Sequence, residues 1–190
     1  MAATEPIRDK KQLKRLAGYF LERGQYRDYV LIVFGTYTAL RISDVLRVTW
    51  ADVYNEKTDA FYTYIRLTEQ KTGKHSTSAL HTQVTEALRL YLPHREGRYL
   101  FTNCRREEQP ISRMQAWRII HQAAEELGMS GKIACHSLRK TWGYHAWVSN
   151  KVSPVLIMGV YNHSSYGITK RYLGVEQDDL DKARTSVTLF

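Results

Sequence analysis

Apolar residues recur at helical spacing through the first part of the chain. They predict a helix that Asp9 caps and Gly24 ends, with one apolar face. That face consists of Leu13, Leu16, Phe20 and Leu21. A second, almost wholly apolar helix is predicted over residues 27–39, and Ser43 is suited to cap a short third helix that continues to Val48. The chain is therefore predicted to begin with packed helices.

The period changes in the middle of the chain, where residues 61–67 and 76–80 predict two strands. The turn residues 71–74 (KTGK) lie between them and predict a small hairpin. Helical spacing returns over residues 84–92 and 112–127. The apolar face of the second of these helices is predicted to contain Trp117, Ile120, Ala124 and Leu127.

The last part of the chain is predicted to be helical with brief breaks. This region starts at His136, and Ser153-Pro154 marks one break as a cap followed by a first-turn proline. No internal repeat and no long Pro, Gly or Ser linker divides the sequence. The expected fold class is mainly α with a small antiparallel β-sheet, in a single domain over residues 1–190.

The sequence is basic, since 28 Lys and Arg residues against 19 Asp and Glu residues give a net charge of +9. Residues 61–140 carry most of this excess, with 13 basic and 7 acidic side chains. A charge of this sign suits a polyanionic partner, although many basic proteins bind none. We therefore expect a DNA-facing surface to come mainly from the middle of the chain.

The sequence has no feature that indicates secretion or a membrane anchor. Its start lacks a charged and apolar leader, and no apolar run approaches the ~18 residues of a membrane span. Cys104 and Cys135 have no metal-ligand or redox spacing. We expect a soluble, cytoplasmic protein in which both cysteines are free thiols.

Two arginines are candidates to neutralise a phosphodiester. Arg41 and Arg139 suit this task because the planar guanidinium binds two phosphate oxygens and keeps its charge. Each also has a simpler interpretation, Arg41 as a surface partner of Asp44 and Arg139 as a solvated basic pair with Lys140. The sequence shows no clustered carboxylates for a two-metal site and no Gly-rich phosphate loop. The predicted chemistry therefore relies on cationic side chains.

Four further residues suit proton transfer or attack on phosphorus. His136 precedes Arg139 by three positions, so both can lie on one helical face, where a histidine can exchange protons or bind a phosphate oxygen. His163 offers a second donor, or simply belongs to a turn. Lys71, at the predicted hairpin tip, can protonate a leaving oxygen or remain a solvated turn residue. The phenol of Tyr172 is a candidate nucleophile, or one more core tyrosine among 13.

Taken in order, five motifs resemble the signatures of the tyrosine recombinases, which are also called phage-type integrases. The motifs are residues 38–44 (TALRISD), 70–74 (QKTGK), 136–141 (HSLRKT), 162–165 (NHSS) and 169–174 (TKRYLG). The resemblance implies the catalytic-domain fold of that family. It also implies site-specific cleavage and rejoining of double-stranded DNA by a homo-oligomer, a tetramer during strand exchange, without a metal or nucleotide cofactor.

The resemblance implies catalytic roles for six residues, which are Arg41, Lys71, His136, Arg139, His163 and Tyr172. The tyrosine would attack the scissile phosphate and form a 3′-phosphotyrosyl link. The two arginines would hold the non-bridging oxygens, and the lysine would protonate the leaving 5′-oxygen. The first histidine would assist removal of the phenol proton or orient the phosphate, and the second would hydrogen-bond it.

The two ends of the chain raise separate expectations. Family members usually carry an additional N-terminal DNA-binding domain, whereas residues 1–30 predict only a helix and an entry segment. We expect a naturally short form, and an excised catalytic domain is the alternative. Residues 175–190 form an acidic segment with an apolar end. In the family such tails dock on a neighbouring protomer, and packing on its own domain is the alternative.

Two other functions fit parts of the same evidence. A type IB topoisomerase shares the tyrosine and the phosphate-binding cations but relaxes supercoils without a partner site. A non-catalytic DNA-binding regulator would use the positive charge equally well. The complete set of arginines, lysine, histidines and tyrosine favours the recombinase, because a binding module needs no nucleophile.

Overall fold

The computed structural model describes residues 4–173 and 184–187, and of residues 107 and 170–173 it describes the backbone only. The α-helices are α1 (Lys10–Leu21), α2 (Tyr26–Tyr37), α3 (Ile42–Val45), α4 (Trp50–Val53), α5 (Thr82–Tyr91), α6 (Arg113–Glu126), α7 (Cys135–Val148), α8 (Pro154–Val160) and α9 (Tyr166–Leu173). A 3₁₀ helix over Leu92–His94 follows α5. The strands are β1 (Tyr54–Asn55), β2 (Ala60–Phe61), β3 (Tyr64–Thr68), β4 (His75–Ala79), β5 (Thr102–Asn103) and β6 (Arg106–Pro110).

The strands of the described region form antiparallel pairs, β1 with β2, β3 with β4 and β5 with β6. The predicted hairpin is confirmed as β3–β4, in which Thr68 lies opposite His75. The strand predicted over residues 61–67 is divided between β2 and β3, because the Tyr62 amide donates to Val53 O rather than to β4. The β5–β6 hairpin was missed because its strands are short and polar. The fold is mainly α with small antiparallel sheets, as expected.

Helix α2 lies at the centre of the core and packs against α1, α5 and α7. Val30, Leu31, Ile32 and Phe34 are each at most 1% exposed. Helices on several sides explain why its sequence is almost wholly apolar rather than amphipathic. Because α7 carries His136 and Arg139, this packing fixes the helix that bears two of the predicted site residues.

The prediction that Ser43 caps the third helix was wrong. Arg41 O already accepts hydrogen bonds from the amides of Asp44 and Val45, so the helix begins two residues earlier, with Arg41 as its extended N-cap residue. Ser43 therefore lies inside α3, which ends at Val45. The left-handed residue Ala39, with φ of 54°, turns the chain between α2 and this short helix.

The predicted face of α6 was wrong at one residue. The buried side chains of that helix are Ala116, Ile120, Ala123 and Ala124. Trp117 lies beside this stripe, is 37% exposed, and has its ring centre 4.6 Å from that of His121. Helix α1 agrees with its prediction, since the Asp9 carboxylate accepts from the Lys11 amide. Of the helices in the described part of the chain, none has the length and apolar character that a membrane crossing requires.

Candidate active site

Arg41 is held by a buried carboxylate that the sequence analysis missed. Its Nη1 lies 2.6 Å from Glu69 Oε2, and Glu69 is 2% exposed. The same carboxylate accepts hydrogen bonds from Thr72 and Asn162. Burial raises the pKa of Glu69, but the hydrogen bonds from Thr72, Asn162 and Arg41 outweigh it and leave the pKa below its ordinary value. Glu69 is therefore an anion that orients Arg41.

The alternative of a surface pair between Arg41 and Asp44 was wrong. Asp44 is 4% exposed, and its Oδ1 accepts a hydrogen bond from the Gln70 amide at 2.9 Å. Asp44 thereby anchors the start of the turn that carries Lys71, while Arg41 pairs with Glu69 one residue away. Both carboxylates accept hydrogen bonds from the turn that carries Lys71, and neither of these contacts could be predicted from the neighbouring residues in sequence.

Arg139 is buried within α7, with 3% exposure. Its Nη1 donates to Ala39 O at 2.5 Å and its Nη2 donates to Tyr161 O at 2.8 Å. Its guanidinium carbon lies 4.5 Å from the centre of the Tyr161 ring, and the Tyr161 hydroxyl donates back to Arg139 O. Gly143 leaves the space that this hydroxyl occupies. These contacts contradict a solvated pair with Lys140 and place Arg139 between the residues that precede Arg41 and His163.

The two predicted histidines share one positive environment. Burial, followed by the charges of Arg139 and other cations, lowers the pKa of His136 to about 4. Burial and the charges of Arg139 and Arg41 likewise lower the pKa of His163 to about 4. The charge of Lys71 also lowers the pKa of each histidine. The imidazoles are therefore neutral near pH 7, and in each neutral ring one nitrogen can donate a hydrogen bond and the other can accept one.

His163 lies in a turn and also contacts the cluster, so its two interpretations are compatible. Its amide donates to Met158 O, and its Nδ1 lies 3.0 Å from Thr169 Oγ1. Its ring centre is 5.0 Å from that of Tyr161, which also contacts Arg139. His163 therefore links the arginine on α7 to helix α9.

Lys71 lies at the tip of the β3–β4 hairpin, where it is exposed. The Glu69 amide donates to Lys74 O and the Gly73 amide donates to Glu69 O, each at 2.9 Å. Gly73 adopts a φ of +67°, which an L side chain would strain. The turn is thus closed below Lys71, and the charge of this lysine contributes to the lowered pKa of both histidines.

Residue 172 lies in α9, although the side chain of Tyr172 is outside the described part of the structure. Thr169, one helical turn earlier, is fully buried and contacts His163. Helix α9 packs against α7 and α8. These contacts bring the helix that carries Tyr172 to the edge of the cationic cluster.

Five of the six predicted residues thus come from four segments that meet in the structure, and the side chain of the sixth, Tyr172, lies outside its described part. Sequence reasoning found the cations but missed Glu69, Tyr161 and Asn162, whose contacts join distant parts of the chain. Among the described residues, no group of three or more His, Cys, Asp or Glu side chains is arranged to hold a metal ion. Both cysteines are free, with Cys104 exposed and Cys135 partly buried.

Comparison with known proteins identifies the family of the chain. The model of the "Phage integrase family" matches residues 8–178. The chain belongs to this family. It is also 36% identical over 179 residues to the "Probable integrase/recombinase YoeC" of Bacillus subtilis (strain 168), a match that covers 94% of this chain and 93% of that protein. The resemblance inferred from the five motifs is confirmed.

Solved structures of recombinases share the fold of this phage integrase family member. The crystal structure of XerA recombinase has a TM-score of 0.74 at 20% identity, covering 98% of this chain and 65% of that one. The post-cleavage complex of XerH site-specific recombinase with a palindromic difH substrate has a TM-score of 0.76 at 14% identity, covering 97% of this chain and 54% of that one. The chain therefore spans about half to two thirds of the length of these solved recombinases.

Proposed function

We propose that this chain is a site-specific DNA recombinase that cleaves and rejoins DNA strands through a tyrosine-linked intermediate. The observation that carries the proposal is the cluster of Arg41, Lys71, His136, Arg139 and His163 beside the helix that bears residue 172. Family membership and the fold shared with a recombinase solved in a post-cleavage complex support the same activity.

The proposed site would hold the scissile phosphate through two guanidinium groups. Glu69 anchors Arg41 from one side, and two backbone carbonyls anchor Arg139. Charges fixed in this way need little rearrangement when negative charge grows on the non-bridging oxygens. His163, neutral in the DNA-free state, would donate a hydrogen bond to one of these oxygens.

In the proposed cleavage step, the phenolic oxygen of Tyr172 forms a bond to phosphorus while the bond from phosphorus to the 5′-oxygen breaks. The phenol proton passes to His136, or to solvent that His136 orients. Lys71 gives a proton to the departing 5′-oxygen. Attack by a 5′-hydroxyl reverses these transfers, so the phosphodiester is rebuilt without an external energy source.

The basic middle of the chain supports duplex DNA as the partner. Of its 13 Lys and Arg residues, ten are exposed. These are Arg66, Lys71, Lys74, Arg89, Arg95, Arg98, Arg105, Arg106, Arg113 and Arg118. We propose that such residues contact phosphates. A protein that works on cellular DNA would then be found in the cytoplasm with the nucleoid.

Strand exchange requires two DNA sites, and we propose that a homotetramer assembles on them from a single catalytic domain per chain. The tail over residues 175–190 is our candidate for docking on a neighbouring protomer, although it lies mostly outside the described residues. Removing residues 185–190 should then weaken pairing of two DNA sites more than binding to one. Equal effects on pairing and on binding would favour a tail that packs on its own domain.

The proposed activity can be tested without choosing a target sequence in advance. A pool of duplexes with a randomised central sequence and a nick just beyond each possible cleavage position is incubated with the protein. The nick lets the short 5′-hydroxyl fragment diffuse away, so that cleaved strands stay attached to protein. Adducts that survive detergent are isolated and their DNA is sequenced.

We expect wild-type protein to enrich a defined site and the Tyr172→Phe variant to yield no adduct. Tyr166→Phe, which changes an exposed tyrosine on the same helix, is the matched control and should react like the wild type. Binding without an adduct would indicate a non-catalytic regulator. Relaxation of supercoiled DNA that lacks the enriched site would indicate a topoisomerase.

A further inference from the structure

Asn162 has a backbone conformation that glycine adopts more readily. It lies in the turn between α8 and α9, directly before His163, and its φ is 52°. Asparagine tolerates the left-handed region better than most residues, but glycine enters it without a steric penalty. A side chain at this position therefore needs a contact that glycine cannot make.

That contact is a hydrogen bond to the buried carboxylate of the cluster. Asn162 Nδ2 donates to Glu69 Oε1 at 2.8 Å. The other oxygen, Oε2, accepts from Arg41 at 2.6 Å and from Thr72 at 2.7 Å. One carboxylate thus joins the start of α3, the turn that carries Lys71 and the turn that carries His163.

We propose that Asn162 is a positioning residue that acts through Glu69. Its amide fixes the plane of the carboxylate, which would otherwise rotate about its terminal bond, a torsion with only weak intrinsic preference. A fixed plane sets the direction in which Arg41 is held and keeps the Lys71 turn in register with His163. This inference rests on the proposed function, because its consequence is the rate at which DNA is cleaved.

The experiment compares four variants on the DNA site that the wild-type protein enriches. Asn162→Gly removes the strain of the positive φ together with the side-chain amide. Asn162→Asp places an acceptor against Glu69 Oε1. Adding Glu69→Gln to Asn162→Asp restores one hydrogen bond with its direction reversed, while the net charge of the pair is unchanged. Lys151→Gly is the matched backbone control, because Lys151 is exposed and has a φ of 53°.

Single-turnover adduct formation is measured at saturating protein, beside the thermal unfolding midpoint and DNA affinity. Loss of a hydrogen bond to a charged group corresponds to about a 10- to 100-fold slower reaction. We expect that loss for Asn162→Gly and a greater one for Asn162→Asp. The double variant Asn162→Asp with Glu69→Gln, called the reversed pair, should cleave at least about tenfold faster than Asn162→Asp alone. DNA affinity should change little, and Lys151→Gly should react like the wild type.

The proposal is overturned if Asn162→Gly cleaves at the wild-type rate, or if the reversed pair is as slow as Asn162→Asp. A merely structural role predicts that rates follow the unfolding midpoints and that the reversed pair gives no specific recovery. The reversed pair supplies the same test should Asn162→Gly fail to fold. Absence of any adduct with wild-type protein would instead refute the proposed function itself.

Discussion

Replacement of Arg139 by lysine separates charge from geometry at the centre of the site. The charge remains, but the planar group that reaches two carbonyls from different parts of the chain is lost. An ammonium can reach Ala39 O or Tyr161 O, and it loses the flat contact with the Tyr161 ring. Arg139 is only 3% exposed, so water does not readily replace the donor that the other carbonyl loses.

The expected cost in stability follows from these contacts. One hydrogen bond from a charged group is worth about 1.5–3 kcal/mol, and a domain of this size loses roughly 2–4 °C of its unfolding midpoint per kcal/mol. We therefore expect Arg139→Lys to unfold about 3–12 °C lower than the wild type. Cleavage should slow by about 10²–10³-fold, because an aimed donor to the transition state is lost.

Thermal unfolding followed by circular dichroism and single-turnover adduct formation at saturating protein measure the two effects of Arg139→Lys. Arg118→Lys, an exposed change on α6, is the control and should alter neither quantity. If Arg139→Lys unfolded at the wild-type temperature and cleaved within about threefold of the wild-type rate, Arg139 could not hold both carbonyls and the phosphate, since removal of a fixed donor is worth at least about a hundredfold.

Two further predictions concern the pH dependence of stability and the role of Lys71 as an acid. Because His136 and His163 have folded-state pKa values of about 4, below the ordinary 6.5, the folded state binds fewer protons than the unfolded chain between these values. Their contribution to stability is complete above about pH 6.5 and is lost as the pH falls toward 4. Urea denaturation across this range should show a shallower pH dependence when both are glutamine, and an unchanged slope would contradict the assignment. Lys71→Ala should slow cleavage of an ordinary phosphodiester by about 10²–10⁴-fold, and a 5′-bridging sulfur, which leaves without a proton, should restore the rate. Lys74→Ala is the control in the same turn, and at saturating protein, where a lost phosphate contact no longer limits binding, it should cleave like the wild type. A defect at Lys71 that sulfur does not correct would exclude this lysine as the acid.

Local sequence was sufficient for the parts of the molecule that local chemistry determines. Asp9 as a cap, the turn at Gly73 and the break at Ser153-Pro154 each depend on a few adjacent residues. Ser43 was misplaced because serine also tolerates the first turn of a helix, and the extended backbone of Arg41 starts α3 earlier. Trp117 was assigned to the core because spacing alone does not distinguish the centre of a buried stripe from its edge.

The cations of the site were predictable from motifs, whereas the groups that hold them were not. Glu69 reads in sequence as an ordinary acid near a turn, and only folding brings Asn162 to it from 93 residues away. Arg139 meets the carbonyl of Ala39 from 100 residues away, a contact that leaves no mark on either local sequence. Such contacts become visible only in the folded structure, because many kinds of polar group could make them and no local pattern marks the residues involved.

We propose that the phenolic oxygen of Tyr172 becomes joined to a broken DNA strand, and the linked residue can be identified directly. Adduct formed on the enriched nicked duplex is digested with protease and nuclease, and the peptide that retains a nucleotide is sequenced by mass spectrometry. We expect the nucleotide on Tyr172, attached through a 3′-phosphate. A nucleotide on any other residue, or cleavage that leaves no linked peptide, would contradict the account.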